Sequence, residues 1–125
     1  MNLKVVDEPI IARAMLNTIY LGNRYFLLPE RVKAAVVSHE VGHCMGNHTI
    51  WRVLCLFFAP FLLSWVCKKQ EFLADRHAVR MGHGQALLLL LSVEFKGDFF
   101  SPSHELRRKK INLELSALSS ISRQA

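Results

Sequence analysis

His39, Glu40 and His43 lie within "SHEVGHCMGNH" (residues 38–48). If this stretch is helical, residues four apart share a face one turn apart. The two imidazoles can then each give a nitrogen to one cation, and zinc suits that donor type. Glu40 follows the first histidine, so its carboxylate can reach a water beside the metal without ligating the ion. Two ligands and a general base in HExxH spacing point to hydrolysis by activated water.

A catalytic zinc takes three protein ligands and keeps one position open, so the motif alone is incomplete. Three routes to a third ligand exist. A histidine ten residues after His39 would give the metzincin pattern, with Gly46 where that pattern wants glycine, but position 49 is Thr. His48 is near, although a bond to a neighbouring group ranks above ligation for it. Glu71, in "QEFLADRHAV", has Asp75 one turn further on the same helical face. Glu71 would ligate, while Asp75 would accept the free N–H of a ligating histidine and fix its tautomer.

"VKAAVVSHEVGHCMGNH" followed by "EFLADRHAV" resembles the gluzincin metallopeptidases of the HtpX, Oma and CAAX-prenyl endopeptidase type. The resemblance maps a HExxH helix with a further histidine, and a later ExxAD helix, onto His39, Glu40, His43, His48, Glu71, Ala74 and Asp75. It implies a compact zincin-like metallopeptidase domain with one zinc ion per chain. It also implies a strand or hairpin before the motif helix that holds the substrate extended, and "TIYLGNRYFLLP" occupies that place. A downstream "HP…R" element is matched weakly by "SPSHELRRKKI", with Pro102 in register, Ser101 in place of the histidine, and Arg107 or Arg108 as the arginine. The similarity spans about residues 15 to 111. A second resemblance, to BlaR-type antirepressor peptidases, rests on "FFAPFLLSWV". It ranks lower because their final motif usually carries Cys where this chain has Ala74.

The elements that must position these groups read as mainly helical, in a single domain over residues 1–125. Asp7 can cap a helix with Pro9 in its first turn, ending near Asn17. Thr18–Leu21 and Tyr25–Leu28 flank Gly22-Asn23 as a small β-hairpin, with Tyr20 and Tyr25 able to pair across it. Pro29 opens the motif helix, which Gly46 and Asn47 end. A helical stretch interrupted at Pro60 leads into "QEFLADRHAVRM", which stops at Gly82. "GQALLLLLSVEF" is a further helix, "KGDFFSPS" a loop, and "HELRRKKINLELSAL" an amphipathic helix.

Residues 53–67 carry no charge. As a straight helix they would reach about 22 Å, against a hydrocarbon core of about 30 Å. Crossing a bilayer would also put His39 and His43 on the side opposite Glu71. A core helix bent at Pro60 is the first reading; the runner-up is a shallow hairpin dipping into one leaflet, with Pro60 near its tip. The same run could pair two copies of the chain. Trp51 and Trp65 suit an interface or a core.

The chain is 51% hydrophobic with a net charge of +6, which leans toward a large buried face or membrane contact. Basic residues are spread out, apart from Arg107–Lys110, which reads as a solvated helix face ahead of attraction to anionic lipid or an acidic substrate. No aromatic–basic interleaving argues for nucleic acid. Three cysteines without a CxxC pair read as buried thiols in a reducing compartment. The N-terminal stretch carries Asp7, Glu8 and Arg13 and lacks a signal-peptide pattern, so the expected location is cytoplasmic or at the cytoplasmic face of a membrane. His77 and His83 read as surface residues.

The expected function is zinc endopeptidase activity on a peptide or unfolded protein. His39, His43 and Glu71 would hold the ion, Glu40 would be the base, and His104, Arg107 or Arg108 would be the donor to the oxyanion. A non-catalytic zinc-binding regulator and a membrane-associated helical protein are the alternatives.

Overall fold

A computed structural model of the chain describes residues 1–124. The protein is mainly helical with a small three-stranded sheet. Three strands, β1 (Asn2–Val5), β2 (Ala12–Met15) and β3 (Thr18–Leu21), precede five helices: α1 (Glu30–Met45), α2 (His48–Phe58), α3 (Leu63–Arg80), α4 (Gly84–Leu90) and α5 (His104–Gln124).

The expected N-terminal helix is not formed; a bend, strand β2 and a turn occupy Asp7–Asn17. Asp7 accepts a hydrogen bond from Asn23 Nδ2 at 2.9 Å, and Glu8 pairs with Arg13 at 2.6 Å. These bonds tie the segment to the sheet and leave no cap for a helix. Ala12 and Ala14 turn inward while Arg13 and Met15 are exposed, so pairing and packing override the helix preference of "ARAM". The hairpin is therefore β2–β3, closed at Leu16-Asn17 with Leu16 at φ 55°. Tyr25–Leu27 is a 3-10 turn. Tyr20 carries Arg13 over its ring at 5.1 Å, and Tyr25 packs edge-on against Phe26.

β3 lies between β1, to which it is parallel, and β2, to which it is antiparallel, so β2 is an edge strand. Met15 and Thr18 flank a two-residue turn and exchange both their bonds. The alternation then bonds Arg13 with Tyr20 and continues as Gly22 N–H to the Ile11 carbonyl at 2.9 Å. Ala12 and Ala14 consequently aim their N–H and C=O groups away from β3, at the open edge.

α1 starts where Pro29, extended at ψ 152°, offers its carbonyl to the Val32 and Lys33 N–H groups. It ends at Gly46, with Asn47 left-handed at φ 51°. α3 closes with Gly82 at φ 89°; His83 N–H reaches the Ala78 carbonyl and Gly82 N–H reaches that of Val79, a Schellman pair. The main core joins α1, α3, α4 and α5 through Ala35, Ala78, Val79, Leu87, Leu91 and Ile111. Ile19, Leu21 and Cys44 form a smaller cluster under the sheet.

The chain does fold back at Pro60, through a 3-10 turn at Pro60–Leu62, and α2 packs against α3. The expectation that this run is core fails: of residues 53–67 only Cys67 is buried. No helix among the described residues is long and apolar enough to cross a membrane.

Candidate metal centre

Two helices bring the site together. His39 and His43 project from α1 toward Glu71 and Asp75 on α3, and the close approach depends on small residues. A β-carbon on Gly42 would lie 3.0 Å from both the Ala74 Cα and the His77 Cβ, and Ala74 is fully buried. A larger side chain at either position would hold the ligand-bearing faces apart.

His39 Nε2 lies 3.2 Å from His43 Nε2, and the two nitrogens stand 3.1 and 3.2 Å from the oxygens of Glu71. Ligands on a tetrahedral zinc with bonds of about 2.05 Å are about 3.3 Å apart. The spacing and the chemistry of the donors thus suit a zinc ion, and these three side chains can hold a metal ion.

The other ring nitrogens are occupied. His39 Nδ1 is 2.7 Å from Asp75 Oδ1. Arg107 donates to both Asp75 oxygens, Nε at 2.8 Å and Nη2 at 2.7 Å. His43 Nδ1 is 2.7 Å from His48 Nδ1. Each outer partner leaves Nε2 facing inward. His48 reaches this position because residue 46 is glycine, where a β-carbon would fall 2.2 Å from the His48 ring. Its backbone is fixed as well, the carbonyl accepting from buried Gln70 Nε2 at 3.1 Å.

The electrostatics follow from this wiring. Burial alone would lower the His39 pKa, but the bonds to Asp75 and Glu71 outweigh it and push it up to about 10. Burial would raise Glu71, and the bonds from His39 and His43 hold it well below the usual carboxylate range instead. Asp75 is likewise held down against burial by Arg107 and His39. His48 is lowered to about 4 by burial, then by His43 and Arg52. A neutral His48 can accept the proton on His43 Nδ1 that a ligating Nε2 requires.

A cavity of about 310 Å³ opens over the cluster, lined by His39, Glu40, His43 and Glu71, with Ile11 and then Ala12, Arg13 and Ala14 of β2 on another side. Comparison with protein-family models, curated proteins and solved structures gives no match. Glu40 lines the same cavity as the three groups that could hold a metal ion. The cavity does not include His104 or Arg108: His104 bonds the Val93 carbonyl at 2.7 Å, and Arg108 donates to the Leu91 carbonyl at 2.6 Å. His77 and His83 also lie outside it. Arg107 does line the cavity, with its guanidinium engaged by Asp75.

Arg52 belongs to neither motif, yet its Nη2 stands 3.5 Å from Glu71 Oε1 on the cavity wall. Arg52 follows His48 by one helical turn, so a helix that turns His48 toward the site must also turn Arg52 there. The edge position of β2 left no comparable signal, because "ARAM" reads as helix.

Proposed function

We propose that the chain is a zinc-dependent endopeptidase of zincin-like build, related to the gluzincins of the HtpX, Oma and CAAX-prenyl endopeptidase type. One observation carries the reading: two Nε2 atoms and a carboxylate at mutual distances of 3.1 to 3.2 Å, with both Nδ1 atoms held from behind. The HExxH and ExxAD spacings add to it.

His39, His43 and Glu71 would hold the ion, which when bound supplies a Lewis acid that brings water ionisation near neutral pH. Asp75 and His48 keep the two rings in the ligating tautomer. Glu40 takes the proton from the attacking water and passes it to the leaving amine. The substrate lies extended along β2, pairing with the outward N–H and C=O groups of Ala12 and Ala14. Recognition through backbone bonds suits unfolded or extended peptides. Arg52, held by Gln70 and 3.5 Å from Glu71 on the cavity wall, would bring a positive charge near the carbonyl oxygen as charge develops there; Arg107 keeps Asp75 charged and in place.

Glu40→Gln tests this reading. The variant retains zinc and loses cleavage of a denatured protein, by at least about a hundredfold for removal of a general base. Zinc retention in the wild type with no cleavage of any denatured protein would leave a metal-binding regulator in its place.

A further inference from the structure

The hairpin of α2 and α3 exposes an unusual amount of apolar surface. Phe57, Phe58 and Phe61 surround its tip with 76%, 83% and 83% of their surface exposed. Trp51 and Trp65 follow on the two arms at 59% and 60%. Between the arms runs a groove of about 660 Å³, walled mainly by Trp51, Leu54, Phe58, Trp65 and Leu73. Ser64 donates to the Phe99 carbonyl at 2.6 Å and so brings exposed Phe99 and Phe100 beside the start of α3. A contiguous patch of this kind marks a binding surface.

We infer that the α2–α3 hairpin inserts its tip into one leaflet of an anionic membrane. Charge points to lipid. No carboxylate occurs from Val41 to Gln70, while Lys68 and Lys69 follow the apolar run directly. Lys68 and Lys69 lie roughly 10 Å along the helix from the tip, and Lys69 Nζ sits 4.9 Å over the Trp65 ring. Aromatic rings and cations at one level beneath an apolar tip match the layering of a bilayer interface. A second copy of the chain would instead bring the same cations against them.

The backbone at the tip also suits apolar surroundings. Pro60 has no N–H, Ala59 N–H bonds the Cys55 carbonyl at 2.8 Å, and Leu62 N–H bonds the Ala59 carbonyl at 2.9 Å. Insertion stops at the charged level, because Lys68 and Lys69 keep their ammonium groups among the headgroups. This surface stands independently of the peptidase reading, since none of its tip residues lines the metal cavity.

Flotation with vesicles of phosphatidylcholine and phosphatidylserine tests the inference. The full chain floats with them, and binding weakens at least about tenfold on phosphatidylcholine alone. The chain's two tryptophans both lie on the hairpin arms, so acyl-brominated lipid quenches their fluorescence. Phe57→Ser, Phe58→Ser and Phe61→Ser together reduce vesicle affinity by about a hundredfold, with unchanged metal content and helical signal. Absence of vesicle binding would overturn the inference, as would binding that the triple variant keeps. So would a concentration-dependent dimer, seen by sedimentation, that shields the tryptophans and excludes vesicles.

Discussion

Gly42 of α1 and Ala74 of α3 meet at van der Waals range, and this contact sets the distance between the histidines and the carboxylates. Gly42→Ala places a β-carbon 3.0 Å from the Ala74 Cα. The helix preference of alanine stabilises by about 1 kcal/mol, while the overpacking costs about 1–3 kcal/mol. The thermal midpoint therefore falls only modestly. Zinc affinity falls about tenfold or more, because small displacements of ligands matter. Chelator competition set against thermal melts checks the difference.

Asp75→Ala removes the acceptor that fixes His39 and leaves the buried Arg107 guanidinium without its charge partner. Loss of the acceptor weakens zinc about 10- to 100-fold. Stranding Arg107 costs roughly 3–5 kcal/mol. The double variant Asp75→Leu/Arg107→Leu recovers part of the stability in denaturant melts and none of the zinc affinity.

His48→Ala frees His43 Nδ1 and weakens zinc about 10- to 100-fold, while His43→Ala abolishes binding. Gly46→Ala touches no ligand yet collides with the His48 ring, so it lowers zinc affinity in the same direction as His48→Ala. Combining the two substitutions adds little beyond either alone, which titration with a fluorescent zinc chelator measures.

His39 gives the metal-free site a pH signature. Its pKa is raised from 6.5 to about 10, so below that range the ring carries a proton that a ligating nitrogen must lose. Zinc binding near neutral pH releases this proton, and affinity climbs as pH rises toward 10. Without metal, the stabilisation from protonated His39 is complete below about 6.5 and disappears as pH rises through about 10. Glu71 and Asp75, held low, contribute above the ordinary carboxylate range and lose that contribution in strong acid. Calorimetry in buffers of different ionisation enthalpy counts the released proton.

The helices α1 and α3 were legible because spacings of four put His39 with His43, and Glu71 with Asp75, on single faces. Pro29, Gly46, Pro60 and Gly82 marked their ends or bends through backbone geometry that few other residues share. The segment Asp7–Asn17 was not legible: Asp7 and Pro9 form a good helix start locally, and only the distant partners Asn23 and Tyr20 hold it in the sheet. Residues 53–67 misled for a different reason. Composition reports that side chains are apolar, not whether a protein surface covers them. Among the proposed oxyanion donors, His104, Arg107 and Arg108 are close in sequence, yet α5 turns only Arg107 into the cavity, and Asp75 engages it there.

The proposed function requires that three side chains from two helices hold one cation. Metal analysis of protein purified without added zinc, in the wild type and in Glu71→Ala, tests it most directly. One zinc per folded wild-type chain is expected, and almost none in the variant, with helical content retained. A wild type that takes up no zinc even when it is supplied, or a Glu71→Ala chain that keeps its full complement, would contradict it.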